Sequence, residues 1–169
     1  MIFYAIAIIL AYVFIMFILS RLIIPRLGLR KVKLPAKIPK SMEEEIKRLK
    51  KKSGNKEDFL KNAYSYLARK FPGKKLGGII HFNMLFWKDI EKLWNTKGYL
   101  PCHASTHIMR IFLVRSGFFN DKDIKVKHAF IDFAMHQYLK VKVRGKWISV
   151  DVWAGHLGIP LGKHAWLFI

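Results

Sequence analysis

The sequence predicts an α+β domain behind an N-terminal transmembrane helix, with helices packed on a small antiparallel sheet. Three patterns carry that expectation. Residues 1–24 are apolar apart from Arg21. The middle of the chain shows apolar residues at helical spacing, and its last third turns to alternating runs rich in Val, Ile, Tyr and Trp. The 169-residue chain holds 31 Lys+Arg against 11 Asp+Glu, a net charge of +20, yet has a positive mean hydropathy of +0.13 and 14% aromatic residues. That apolar content excludes a disordered polycation. The single Cys102 excludes an intramolecular disulfide framework and a multi-cysteine zinc site.

Met1–Ser20 carries no charged side chain, and about 20 apolar residues span the hydrocarbon core of a bilayer. No basic residue precedes the run and no A-x-A pattern ends it, so an uncleaved anchor is expected over 1–24 instead of a signal peptide. Arg21, in the last turn of the span, and Arg26, Arg30, Lys31, Lys33, Lys37 and Lys40, beyond it, all lie on its C-terminal side. By the positive-inside rule they place the rest of the chain in the cytoplasm, as the soluble part of a single-pass membrane protein.

Residues 25–40, with three prolines, read as an extended basic juxtamembrane linker, and 41–169 as the domain. Residues 26–75 hold 17 Lys+Arg and 5 Asp+Glu. The block adjoins the membrane and its nearer part, residues 26–58, lacks interleaved aromatics, so anionic lipid is the expected partner and nucleic acid is not.

Ser41-Met42-Glu43-Glu44 predicts a capping box opening a helix, which Ser53-Gly54-Asn55 ends. A second helix is expected over 56–70, with Leu60, Ala63, Tyr64, Leu67 and Phe71 on one face. Gly73, Gly77 and Gly78 mark a loop. Residues 84–95 look helical, and a further helix is expected from Ala104 to Ser116, closed by Gly117. Strands are expected over Ile124–Phe133, His136–Val143 and Lys146–Val152. Phe112, Phe118, Phe119 and Trp147 are expected in the core, with Lys140 and Lys142 on a solvated rim.

The last two strands join through Arg144-Gly145, the centre of a tight turn. An even loop pairs Val143 with Lys146, Val141 with Ile148 and Leu139 with Val150, an apolar surface that calls for burial. The opposite face then carries Lys140, Tyr138 and His136 on one strand, with Ser149, Asp151 and Trp153 on the other. His136 and Asp151 become diagonal neighbours, within reach of an imidazole–carboxylate hydrogen bond. Cys102 follows Pro101 at the start of a helix, where the positive end of the dipole favours a thiolate. A thiol, an imidazole and an orienting carboxylate form the nucleophile–base–orienter arrangement of acyl transfer.

At these residues the chain resembles the transglutaminase-like superfamily, within the papain-like cysteine enzymes. In HQYLKVKVRGKWISVDVW, the residues His136, Val141, Gly145, Trp147, Val150 and Asp151 match the family's H-x-W-x-x-V-x-x-x-G-x-W-x-x-V-D pattern, with Tyr138 at the aromatic position. The likeness covers about residues 85–155. It implies a cysteine-proteinase-like fold, a Cys102–His136–Asp151 triad, a thioester intermediate and a peptide or protein amide as substrate, with no metal or organic cofactor. An inactive binding module of the same fold, tethered to the membrane, is the alternative. The family commonly has Gly shortly before the Cys, where this chain has Leu100-Pro101. Its second oxyanion donor has only Trp87 and Trp94 as candidates here.

Other histidines compete. His128 also opens an aromatic-rich run and ranks behind His136. His103 and His107 stand four apart on a helix, a metal-ligand spacing, but no Glu lies between them as in H-E-x-x-H and no third ligand beyond Cys102 is evident.

Overall fold

The computed structural model describes residues 2–28, 31–74, 76–131 and 134–167. Arg30 of the basic flank and Phe133 of the first expected strand lie outside them. An apolar helix α1 (Ile2–Ile23) is followed by helices packed on a three-stranded antiparallel sheet ordered β1-β2-β3.

Helix α1 has 22 residues, is long and apolar enough to cross a membrane, and buries none of its apolar stretch in the protein. Its last turns touch the domain. Phe17 stacks on Phe130 with centroids 5.6 Å apart, and Arg21 Nε donates to Met135 Sδ at 3.2 Å. The chain then reverses at Arg26, whose φ of 69° is left-handed.

Residues 31–38 contain no helix or strand, as expected of the linker, but they are tied to the domain and do not hang free. Arg110 Nη1 donates to the Val32 carbonyl at 2.6 Å, and Arg115 Nη2 donates to the Pro35 and Ala36 carbonyls at 2.7 and 2.6 Å. Arg110 also forks onto Asp121 at 2.6 and 2.9 Å, and it holds that carboxyl below the usual range. Leu34 and Ile38 pack on the core.

Helix α2 is Lys40–Lys51, one residue earlier than the expected capping box. Pro39 precedes it and no side chain caps it. The Ser41 hydroxyl instead accepts from Trp94 Nε1 at 2.9 Å. Helix α3, Lys56–Lys70, begins where Asn55 Oδ1 accepts from the amides of Glu57 and Asp58. The five residues of its expected apolar face are all buried.

The expected glycine loop contains one helical turn, α4 (Gly77–Ile80). The expected helix over 84–95 is two elements: a 3-10 turn over Phe82–Phe86 and helix α5 over Ile90–Asn95. Asp89 divides them, because its carboxylate caps the amides of Glu91 and Lys92. Helix α6 (Cys102–Arg115) runs through the centre and buries almost every residue from His103 to Leu113. Thr106 Oγ1 ties it to the sheet by donating to the Gln137 carbonyl at 3.0 Å.

Strands β1 (Ile124–Ile131), β2 (Ala134–Val143) and β3 (Lys146–Val150) form the sheet. The hairpin register is that of the even loop: Val143 opposite Lys146, Val141 opposite Ile148, Leu139 opposite Val150. Arg144 and Gly145 both take positive φ, 46° and 81°, as a two-residue turn of this hand requires. Leu139, Val141, Val143, Val150 and Ile124 face α6 and α3 and close the core with Phe59, Leu67, Ile108 and Phe112. Phe112 and Phe119 are buried, but Trp147 is 37% exposed beneath Lys125 Nζ at 4.2 Å and is not a core residue. Lys142 is exposed and Lys140 half-buried, forming the expected rim.

Candidate functional site

Pairing of β3 with β2 stops at Val150, two residues before the expected end of the strand. At Asp151 the chain leaves the sheet and enters a short helix, α7 (Val152–Gly155). Asp151 causes the change of course, since its Oδ1 accepts from the Ala154 amide at 3.1 Å. Oδ2 accepts from the Ala165 amide at 3.0 Å and from His136 Nε2 at 2.7 Å. The carboxyl group is 1% exposed, and three donors compensate its burial.

His136 lies in β2, opposite Ala129 of β1, and is also buried. With Nε2 committed to Asp151, Nδ1 is the nitrogen left for exchange with a thiol. Trp153 packs across the ring at 5.2 Å between centroids and fixes its plane.

Cys102 is the first residue of α6, partly buried, at the positive end of a 14-residue helix. The amides of Ala104 and Ser105 are spent on the Pro101 carbonyl, so the backbone N–H of Cys102 sits at the open end of the helix. The rings of His103 and His136 both act on the thiol, and both favour its ionised form. Burial resists its ionisation, but the two rings prevail, bringing the pKa from 9.0 down to about 6. Burial likewise opposes the charged form of His136. Its hydrogen bond to Asp151 and its interaction with Cys102, reinforced by both negative charges, outweigh that and push it up to about 10. Between those values the site favours a thiolate beside an imidazolium, which is a nucleophile and a proton donor already in place.

The three residues singled out in the sequence therefore meet in one cluster. The competing histidines do not join as bases. His128 is on the other face of the sheet, opposite Gln137, with Nε2 3.1 Å from the Leu27 carbonyl oxygen. His107 is buried on α6 itself, and burial with the nearby Arg26 and Arg110 drives its pKa down to about 3. Among the described residues, no group of three or more His, Cys, Asp or Glu side chains is placed to hold a metal ion.

Of the two tryptophans considered as a second oxyanion donor, Trp94 has its Nε1 bonded to Ser41 inside the core, and Trp87 carries Lys92 Nζ over its ring at 3.8 Å. Trp153 stands at the cluster instead. Its Nε1 is buried with no hydrogen-bond partner of normal geometry, and it faces the Tyr99 hydroxyl. Trp153, Tyr99, Ala154 and Ala165 form a small apolar cluster against which Cys102 packs. Burial first, and then the negative charge of Cys102, raise the Tyr99 pKa, so this hydroxyl stays protonated as a donor.

The sequence reading missed His103, Tyr99, Trp153 and Ala165. His103 was legible only as a metal-spaced residue, although its adjacency to the cysteine was a usable signal. Trp153 was hidden by the expectation that the strand would continue. Comparison with known proteins finds no matching family model, no matching curated protein and no matching solved structure.

Proposed function

We propose that this chain is a membrane-anchored, transglutaminase-like thiol enzyme acting at an amide bond, peptide or isopeptide, of a peptide or protein. The observation that carries this reading is the cluster at the head of α6: a low-pKa thiol acted on by an imidazole whose Nε2 is 2.7 Å from a buried carboxylate. The Cys102 thiolate attacks the carbonyl carbon and forms a C–S bond. The Cys102 amide at the head of α6 is the donor available to the developing oxyanion. His136 delivers its proton to the amine as the C–N bond breaks, leaving a thioester. Water, deprotonated by His136, then attacks the same carbon and releases carboxylic acid and thiolate; an amine in place of water gives transfer. Asp151 holds the ring and stabilises its charged form throughout.

Helix α1 serves as the membrane anchor in this proposal. The basic residues that follow it argue for the domain lying on the cytoplasmic side.

The test uses p-nitrophenyl acetate with the full-length protein in lipid vesicles. A burst of one p-nitrophenolate per chain is expected, with an acetyl group on Cys102 recoverable after acid quenching and no burst from Cys102→Ala. A folded protein that gives no burst, or one acetylated elsewhere with Cys102 untouched, contradicts catalysis and favours the inactive binding module.

A further inference from the structure

The segment after Gly73 is unusually apolar for a surface. Leu76, Ile79 and Ile80 are 63%, 77% and 71% exposed, and Phe82 is 60% exposed in the turn that follows. Isolated exposed apolar residues are ordinary on proteins, but a contiguous group marks an interaction surface. Its inner side is anchored. Gly77 lies against the Tyr99 ring so closely that a Cβ there would sit 2.3 Å from a ring carbon, and His81 stacks on the same ring at 5.5 Å. Helix α4 is therefore held with its large side chains outward.

The position of this segment identifies its occupant. Arg26, three residues beyond the end of α1, donates to the Trp87 carbonyl at 2.6 Å and to the Lys88 carbonyl. The exposed segment is thus fastened at its far end to the point where the apolar helix leaves the domain. A third stretch meets the same place. The Leu167 amide donates to the Phe130 carbonyl at 2.8 Å, Phe130 stacks on Phe17 of α1, and Trp166 and Leu167 are themselves exposed. Lys74 and Lys88, both exposed, flank the apolar run with charge of the sign that anionic head groups attract. Three segments distant in sequence thus turn apolar side chains outward around the root of one apolar helix.

We infer that the segment Leu76–Phe86 is a second membrane contact, lying in the head-group region of the bilayer that α1 spans. The domain then rests on the membrane with the β2 end near Ala134 towards it. The Arg144-Gly145 turn points away, since the ten residues of β2 extend about 30 Å at roughly 3.3 Å each. Through Tyr99, the lipid contact borders the Cys102 cluster, so the thiol sits close to the membrane plane. A substrate held at the bilayer surface, such as a lipid-anchored or membrane-adsorbed peptide, is the class this placement suits. The inference rests on α1 spanning the bilayer, as proposed above, and its test separates the two.

Full-length chain carrying Cys102→Ala receives one new cysteine, by Ile9→Cys, Ile79→Cys, Ile80→Cys or Lys146→Cys. Each is labelled with nitrobenzoxadiazole and reconstituted in vesicles of phosphatidylcholine and phosphatidylglycerol, with or without nitroxide lipid. Probes at 79 and 80 are expected to shift to the blue and to be quenched most by nitroxides near the head group. That follows from an apolar face buried roughly 5–10 Å into the boundary region. The probe at 146 should show neither change. Probes at both 79 and 80 that behave like 146, or a blue shift without nitroxide quenching as a second protein copy would give, overturn the inference. An unquenched probe at 9 overturns the anchor reading instead.

Discussion

His136 on one face of the sheet and His128 and His107 on the other differ in the charge that surrounds them. On one face His136 meets Asp151 and Cys102, both able to be negative, and its charged form is favoured despite burial. On the other, His128 meets a carbonyl oxygen and Gln137, while His107 lies near Arg26 and Arg110. Burial and neighbouring cations hold these two below the ordinary histidine value. The cavity of about 380 Å³ lined by Arg26, Val32, Lys33 and His107 belongs to this second side, away from the thiol. Burial alone makes a histidine neutral and structural; a buried carboxylate behind it makes it a proton carrier.

The contrast can be tested by substitution, read as iodoacetamide alkylation of the folded chain across pH. The largest effect belongs to Cys102→Ala, which removes the chain's single cysteine and with it all thiol labelling, while the far-ultraviolet circular dichroism is unchanged. Next is His136→Gln. The midpoint of the labelling curve should rise from about 6 most of the way towards the ordinary thiol value of 9.0, because a neutral amide no longer stabilises the thiolate. A midpoint left near 6 would assign the low pKa to the helix end and His103.

Asp151→Asn should raise the midpoint less, since the imidazole remains but its charged form loses its counter-charge. It should also lower stability to urea by about 1–3 kcal/mol, the cost of disturbing a buried, fully bonded polar group. The smallest effect is expected from His128→Gln. Its side chain faces away from the cluster, so the midpoint should stay within experimental error of the unsubstituted chain. A shift there as large as that of Asp151→Asn would erase the distinction between the two faces.

The sheet and its register were legible because alternation, Arg144-Gly145 and the apolar set Leu139, Val141 and Val150 all demanded the same even loop. The approach of His136 to Asp151 followed from that register, and the helix at Cys102 from Pro101 and the spacing behind it. Elsewhere local pattern was overruled by single polar contacts at a distance. Ser41 lost its capping role to Trp94, Asp89 cut an apparent helix in two, and Asp151 ended β3 early by turning back on Ala154. The linker's ties to the domain were not legible because its partners Arg110 and Arg115 lie about 80 residues away. Tyr99 and Trp153 carry no spacing signal; only the folded chain brings them to the thiol.

In the acyl transfer proposed above, the same electrostatic pairing would set the pH range of turnover. Thiolate formation requires pH above about 6, and the proton on His136 is lost above about 10, so acyl transfer should rise through the first value and fall through the second. The central claim is the ion pair itself. Its most direct measurement is the pH dependence of Cys102 alkylation by iodoacetamide in the intact, unsubstituted chain, followed by whole-protein mass. A midpoint close to 6 is the result predicted. A midpoint at 9.0, the ordinary thiol value, or above it would mean a thiol that the two histidines do not activate and would contradict the account.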